Sequence, residues 1–412
     1  MSASAPQPGE AGLGGRTSIL IDLNHATGIA HLFRPDGKYI EARVSEPAPD
    51  SPVVRAVHLL GLPYVVATTD RGEDIAIELP TRADPAPLRG RPVVYLDQQA
   101  WSKLALAKHE PERLRPDDER DAALWLIDLA ENWSVVLPYS GGVLVETAHW
   151  SDYERRRRLA ATIASLSRGW QMLDPLAVRA AEFEHVLAVD KARWSLPRVW
   201  TLAPGAWAQA RGLSHRSGEG LPPEHALTVD SIASTLAALS SILDVEATPR
   251  TDPTGWAEHW AALAAHVAET SKPRHLTERA VHGAIVGDAR AELARAANAV
   301  GCSVQAFDTW LRSASRQDLG TLPALGLARE VTYLKIVNSA AKWESNDLTD
   351  IFYLVQACGY ADAVVGERGF VTLVQQAQRR LRRPVNAYKT LGALRASEVL
   401  RDARPRPPAP PE

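Results

Sequence analysis

The stretch that decides the fold is WESNDLTDIFYLVQACGYADAVVGERGF, residues 343–370. Apolar residues follow Asp347 and Asp350 at the spacing of a helix, and the short polar residues before them can cap its first turn. Gly359 is predicted to end this helix. The apolar residues 363–365 then predict a short buried strand. The stretch therefore predicts one helix followed by one strand.

Four carboxylates surround this helix and strand. Asp347 and Asp350 open the helix, and Asp362 and Glu367 lie at the two ends of the strand. Like charges at such short separation repel unless a cation lies between them or some of them are protonated. The pattern therefore indicates a cation site, provided that other segments bring further acids to the same place.

A second acid follows an apolar run in PVVYLDQQAWSKLALAKHE, residues 92–110. Residues 93–96 are typical of a parallel strand that is buried on both faces, and a helix is predicted from about Trp101. Asp97 ends the strand, where α/β sheets form their ligand crevice, so it is well placed to hold a metal ion. The alternative is that Asp97 only caps the helix.

A third acid comes from the next predicted strand and helix. Residues 133–138 predict another buried strand, and Ser140 is predicted to cap a helix over 141–170. Glu146 lies among apolar residues near the start of that helix, where a carboxylate is costly without a partner. The alternative is a residue at the boundary of an amphipathic face.

The rest of the chain divides by composition. The predicted organisation is a disordered segment at 1–16, a small mostly-β domain at 17–89, an α/β domain at 90–400 with a helical insertion at about 171–325, and a disordered Pro-rich tail at 401–412. The β domain is expected to include a helix near 53–60, and the insertion is expected to include a helix over 278–299. The tryptophans of the insertion could stack on bases, but a core position is favoured.

Composition limits the class of protein. The chain has 412 residues, a net charge of −3 and two cysteines, Cys302 and Cys358. No apolar run reaches the length of a membrane span, and the N-terminus does not have the pattern of a signal peptide. These features predict a reduced, cytoplasmic protein without membrane partners. Two arginine clusters, at 155–158 and 379–383, indicate either a nucleic-acid contact or solvated helix faces.

In this order the motifs resemble the PIN-domain superfamily of metal-dependent ribonucleases. VVYLDQQAWSKLA resembles the first strand and acid of the family, LPYSGGVLVE its second strand and acid, and DIFYLVQACGYADAVVGERGF its third acid and closing strand. The similarity covers roughly residues 90–180 and 325–395. Two positions depart from the family pattern: Glu367 stands where Thr-Asp is common, and Gln99 where Asn is usual.

The resemblance implies a PIN-like parallel sheet flanked by helices and a Mg²⁺- or Mn²⁺-dependent endoribonuclease, which would suit a toxin or phage-defence effector. The implied catalytic residues are Asp97, Glu146, Asp350 and Asp347. Asp362 and Glu367 join these four as implied metal ligands. The implied substrate-binding residues are Gln99, Ser140, Arg329 and Lys335.

The implied partner is RNA, expected to be single-stranded, and the N-terminal domain could receive an inhibitor or a sensor ligand. The oligomeric state stays open. Two alternatives remain at this point: a catalytically weak PIN-like binding or scaffold protein, and a nuclease of the same architecture that acts on DNA. The acids would contact phosphates rather than sugars, so they do not distinguish RNA from DNA.

Overall fold

The computed structural model describes residues 19–79, 88–148, 150–208, 223–244, 255–270, 273–338, 340–344 and 346–406. The predicted disordered segment 1–16 and the end of the Pro-rich tail, from 407 on, lie outside this range. The chain divides into two compact units. The first comprises Met1–Thr81, Ser214–Ser240 and Ala409–Glu412, and the second comprises Arg82–Leu213 and Ser241–Pro408.

The chain is mixed α/β. Its strands are β1 Leu20–Asn24, β2 Ile29–Phe33, β3 Tyr39–Arg43, β4 Val53–Leu59, β5 Tyr64–Thr69, β6 Asp74–Glu78, β7 Val94–Leu96, β8 Gln171–Met172, β9 Trp200–Thr201, β10 Ala363–Val365 and β11 Ala387–Tyr388. Its helices are α1 Gln98–His109, α2 Asp117–Glu131, α3 Gly141–Ala148, α4 Tyr153–Ser167, α5 Pro175–Leu187, α6 Pro223–Leu243, α7 Trp256–Thr270, α8 Arg274–Asp288, α9 Arg290–Ala299, α10 Val304–Ser313, α11 Ser315–Thr321, α12 Pro323–Val337, α13 Asn346–Thr349, α14 Val355–Tyr360, α15 Arg368–Arg380 and α16 Leu391–Ala396.

The first unit contains an antiparallel sheet of six strands in the order β3-β2-β1-β4-β5-β6. Alternate residues of its strands are buried, as a sheet with one covered face requires. The prediction of a helix near 53–60 is wrong, because Val53–Leu59 is β4. Its buried residues, Val53, Ala56 and His58, fit the two neighbouring strands rather than a helical stripe.

Besides the antiparallel pair β8 and β9, the second unit has a small parallel sheet. This sheet has three strands in the order β11-β10-β7, with Val364 opposite Tyr95 and Val365 opposite Leu96. The second predicted strand, 133–138, is reduced to an isolated parallel bridge between Val136 and Val93. The described residues therefore contain a shorter parallel sheet than the PIN-like resemblance implies.

Two long predicted helices are each divided in the structure. The helix predicted over 141–170 forms α3 and α4, and the break occurs where Asp152 caps α4 by accepting a hydrogen bond from the backbone N–H of Arg155. The helix predicted over 278–299 forms α8 and α9, which meet at Ala289.

The deciding stretch forms a helix in three parts, α13, a π-helical turn at Asp350–Leu354, and α14. The π turn closes when the N–H of Val355 donates to the carbonyl of Asp350. The prediction that Gly359 ends this helix is wrong, since the helix continues to Tyr360. A Cβ atom at Gly359 would lie 2.7 Å from the carbonyl carbon of Pro323, so this glycine permits a close approach of α12.

The core of the second unit surrounds its small sheet, with Tyr95, Val364, Leu354 and Val371 among its buried residues. The interpretation of the insertion tryptophans as core is confirmed for Trp200 and Trp260, which are both buried. Over the described residues, none of the helices combines the length and the apolar character needed to cross a membrane.

Candidate active site

Parallel pairing brings two of the predicted acids to one edge of the sheet. Asp97 directly follows β7, and Glu367 comes shortly after β10. The backbone N–H of Asp97 donates to the carbonyl of Val365 at 3.0 Å, which fixes the ends of these strands side by side. Asp97 is half-buried and Glu367 is exposed, so the site lies at the surface end of the sheet.

Asp97 has two structural roles. Its Oδ1 accepts a hydrogen bond of 2.8 Å from the N–H of Ala100, so it caps α1 as the alternative interpretation proposed. The same carboxyl also faces other acids. Burial raises its pKa to about 6, against the lowering effects of the Ala100 N–H and Lys103, and the charge of Glu367 raises it further. Asp97 can therefore cap α1 and also belong to the group of acids.

Glu146 lies on α3, which contacts α1. Burial raises its pKa to about 7, with further increases from the charges of Asp97 and Glu367. Over the part of the chain that the structure describes, no hydrogen-bond donor or cation pairs with the Glu146 carboxylate. The cost of its burial is thus uncompensated by protein groups.

Asp350 begins the π turn and is the most perturbed of the three half-buried acids. Burial raises its pKa to about 8, and the charges of Glu146, Glu367 and Asp97 add to this effect in that order. Within the described ranges its carboxylate, like that of Glu146, has no donor and no salt-bridge partner. Asp350 therefore joins a group in which Asp97, Glu146 and Glu367 all raise its pKa.

A glycine pair brings the helices of Glu146 and Asp350 together. Tyr353, in the π turn, lies over the first residues of α3: a Cβ atom at Gly142 would lie 2.7 Å from its ring, and one at Gly141 would lie 2.9 Å from its hydroxyl oxygen. Any larger residue would force these two segments apart. π turns are frequent at functional sites, and this one starts at Asp350.

We call Asp97, Glu146, Asp350 and Glu367 the acid cluster. Its members come from four separate segments, and the pKa values of Asp97, Glu146 and Asp350 are each raised by the charge of at least one other member. Among the described residues, no group of three or more His, Cys, Asp and Glu side chains has an arrangement ready to hold a metal ion. The acid cluster is therefore defined by charge interactions among its carboxyl groups and not by an arrangement of metal ligands.

Two predicted ligands lie outside the acid cluster. Asp347 is buried, forms a salt bridge with Lys335 and accepts a 2.6 Å hydrogen bond from the N–H of Glu344, although its charge still reaches Asp350. Asp362 accepts a 2.7 Å hydrogen bond from the N–H of Val93 at the opposite end of the sheet. Its position at the start of β10 removes it from the edge that the cluster occupies.

The predicted substrate-binding residues are mostly engaged in structural contacts. Lys335 is the partner of Asp347. Arg329 donates to the carbonyl of Arg316 and lies 3.4 Å from Glu330. Ser140 is fully buried, with its hydroxyl 2.9 Å from that of Tyr95 and accepting from the N–H of Val143. Of the four predicted residues only Gln99 is exposed, and it lies two residues after Asp97.

Each arginine cluster is divided between exposed residues and residues that are buried or paired within the protein, and in the second cluster Arg379 and Arg382 are exposed. Arg156 and Arg157 are buried, while Arg155 and Arg158 are exposed. In the second cluster Arg380 pairs with Glu278 and Glu330, and Arg383 donates to the carbonyls of Gly320, Leu322 and Pro323. Neither run is the continuous basic face that its sequence indicates.

Four residues that shape the acid cluster were not singled out from the sequence. Lys103 lowers the pKa of Asp97, and Tyr353 with the pair Gly141 and Gly142 sets the approach of two acid-bearing segments. Adjacent glycines at the start of a predicted helix are a usable signal, because glycine is unfavourable there without a packing reason. The partner of such a glycine pair cannot be read from the sequence.

No family model matches this chain. Comparison with curated proteins and with solved structures likewise finds no match.

Proposed function

We propose that this protein is a Mg²⁺- or Mn²⁺-dependent endoribonuclease with the acid cluster as its active site. The observation that carries the proposal is that Glu146 and Asp350 are half-buried, that the charge of Glu146 raises the pKa of Asp350, and that neither has a donor or cation among the described residues. Uncompensated carboxylates are costly unless a cation completes them.

The donor set fits a hard divalent cation. Such ions prefer carboxylate oxygens and keep several water ligands. Asp97, Glu146 and Asp350 would hold the cation, and Glu367 is exposed at the rim, where it can orient water or substrate. Side-chain rotation would bring these carboxylates, which already interact through their charges, into contact with one cation. A bound Mg²⁺ or Mn²⁺ supplies an activated water and relieves charge on the leaving oxygen of a phosphodiester.

The protein's own groups contribute orientation and proton affinity. The Ala100 N–H holds the Asp97 carboxylate in place, so this ligand loses little freedom on binding. Gly142 and Tyr353 keep the segments of Glu146 and Asp350 in contact. The raised pKa values mean that the cation competes with protons near neutral pH, so affinity should increase as the pH rises.

The test is cleavage of single-stranded RNA with Mn²⁺ by full-length protein and three matched Asp→Asn variants. Asp97→Asn and Asp350→Asn should lose at least about 100-fold in rate, because each removes a charged ligand. Asp362→Asn is the control, since Asp362 bonds at the far end of β10. Asparagine also preserves the cap at position 97. Equal rates for all four proteins would overturn the site, and a parallel DNA substrate distinguishes the two nucleic acids.

A second candidate is a binding or scaffold protein without catalysis. It is favoured by the absence, among the described residues, of a side-chain group already arranged for a metal. Calorimetric titration with Mn²⁺ separates the two candidates. Binding that is lost in Asp350→Asn supports the nuclease. No heat of binding at millimolar Mn²⁺ supports the scaffold.

A further inference from the structure

An open surface groove lies between α1 and α4, and none of the four acids of the cluster lines it. One wall is a stripe of α1. The opposite wall belongs to the start of α4 and to the segment that follows α3. The lining residues that matter here are Ser102, His109, Trp150, Arg155 and Arg158.

This groove lies along α1, the helix that Asp97 caps. Ser102 and His109 continue a helical stripe that starts at Gln98, directly beside Asp97. The side chain of Gln98 is buried, and its Nε2 has no hydrogen-bond partner. At 1.5 Å per residue, the stripe from Asp97 to His109 is about 18 Å long, which suits a few nucleotides of a single strand.

The groove combines an aromatic ring with positive charge. Trp150 is half-buried, and the guanidinium carbon of Arg155 lies 4.1 Å from the centre of its ring. Arg158 pairs with Glu110 at 2.7 Å, and Arg113 shares the same carboxylate. Arg155 has no acidic side-chain partner among the residues described. The lining thus contains two arginines and one carboxylate, Glu110.

We propose that this groove binds nucleotides of single-stranded RNA next to the bond that the acid cluster cleaves. The inference rests on the proposed function, whose substrate path it defines. Aromatic rings that stack on bases beside cations that contact the backbone are the usual elements of single-strand binding. Trp150 supplies the stacking surface, and Arg155 and Arg158 supply phosphate contacts. A base stacked on tryptophan needs no sequence preference, so the groove favours single strands of any sequence.

The groove also explains the arginine run 155–158 better than a continuous basic face does. Only its first and last members line the cavity, because α4 turns Arg156 and Arg157 into the protein. Arg156 donates to the carbonyl of Trp150 at 2.6 Å and so holds the segment that carries the ring. Arg156 therefore fixes the segment that carries Trp150, whereas Arg155 and Arg158 line the groove.

The experiment measures binding of a fluorescein-labelled oligouridine of roughly 10 nucleotides to full-length protein in the Asp350→Asn background. Trp150→Ala should weaken binding about tenfold, through loss of stacking. Arg155→Ala should weaken binding and reduce the slope of log affinity against log salt by about 0.7, the contribution of one phosphate contact to a single strand. Arg395→Ala, at an exposed arginine of α16, is the matched control and should leave both quantities unchanged.

Conservative variants separate recognition from folding. Trp150→Phe should retain most of the stacking and Arg155→Lys the salt slope, whereas a purely structural role would not follow ring and charge in this way. Far-UV circular dichroism checks that each variant is folded. If Trp150→Ala unfolds the protein, Trp150→Phe and Arg155→Ala still decide the question.

The outcomes distinguish this inference from the proposed function. If the wild type cleaves RNA but both Trp150→Ala and Arg155→Ala bind like the control, the groove is overturned and the nuclease stands. If both variants lose binding and the wild type cleaves nothing, the groove is supported and the nuclease falls. If the wild type neither binds nor cleaves RNA, both are wrong.

Discussion

The buried acids of the second unit fall into two groups that look alike in sequence. Glu182 accepts hydrogen bonds from the N–H groups of Ala324 and Leu325 and from the hydroxyl of Tyr360. Glu146 and Asp350 have no such donors among the described residues. The first arrangement anchors the start of α12, whereas the second leaves charge that the protein does not compensate.

Glu119 repeats the satisfied arrangement at another helix. It pairs with Lys103 at 2.7 Å and accepts from the N–H groups of Leu391 and Gly392, at the start of α16. Burial raises its pKa, but these partners together lower it below the ordinary value. Because proteins satisfy the acids that hold their folds, the unsatisfied acids are the ones to examine for function.

The largest contrast is expected when one acid from each group loses its carboxyl. Glu182→Ala leaves three donors unpaired in the interior and should lower the free energy of unfolding by about 3–5 kcal/mol. Asp350→Asn replaces a carboxyl that has no donor among the described residues, so it should change this free energy by less than about 1 kcal/mol or increase it. Urea denaturation measures both.

Glu182→Gln is the control for this contrast. It keeps an acceptor oxygen and should lose less than half of what Glu182→Ala loses. The distinction between the groups breaks down if Asp350→Asn destabilises the protein as strongly as Glu182→Ala does.

The next effect concerns the contact that holds the unsatisfied acids together. Gly142→Ala places a Cβ atom 2.7 Å from the Tyr353 ring and should cost about 1–3 kcal/mol of stability. It should also weaken Mn²⁺ binding, because Glu146 and Asp350 move apart. Calorimetry with Mn²⁺ and urea denaturation report the two effects.

A second substitution tests whether this contact is the cause. In the Tyr353→Leu background the ring is gone, so Gly142→Ala should cost much less, and the double-mutant cycle should show coupling. Additive effects would mean that the glycine acts through some other neighbour.

The remaining prediction concerns the pH dependence of stability without metal. The folded pKa values of Asp97, Glu146 and Asp350, about 6, 7 and 8, exceed their ordinary values of 3.8, 4.5 and 3.8. The folded protein therefore binds more protons than the unfolded chain between about pH 4 and 8. The unfolding free energy is highest below this window and falls as the pH rises through it, by more than about 1 kcal/mol.

Thermal unfolding in EDTA from pH 5 to 9 follows this dependence. Asp350→Asn should flatten it, because the largest of the three shifts is removed, and Mn²⁺ should flatten it by pairing the ionised carboxylates. A metal-free wild type whose stability rises between pH 5 and 8 would contradict the raised pKa values.

Local pattern was sufficient for several parts of the second unit. The apolar run before Asp97 formed β7, and the run after Asp362 formed β10. Because parallel strands align their carboxyl ends, the meeting of Asp97 and Glu367 followed from strand order alone. The helix near 53–60 failed for the reason that short apolar runs often do, since their length fits either period.

Other parts could not be predicted because they depend on distant partners. In sequence, Asp362 and Asp347 lie beside the same helix and strand as Asp350 and Glu367. In the structure, Asp362 accepts a hydrogen bond from the N–H of Val93 and Asp347 forms a salt bridge with Lys335, so neither joins the acid cluster. The arginine run 155–158 divides between interior and surface only because α4 packs with one side inward. The sequence shows where the charged residues lie, but it does not show which residues they will pair with.

The sequence alone determined which acids follow buried strands and helix starts, because hydrophobic period and strand ends are local properties. Tertiary structure decided which of those acids are satisfied. The close contact of Tyr353 with Gly142 and the π turn at Asp350 set the distance between the acid-bearing segments. Desolvation and charge repulsion depend on that distance, so the acid cluster exists only in the folded chain.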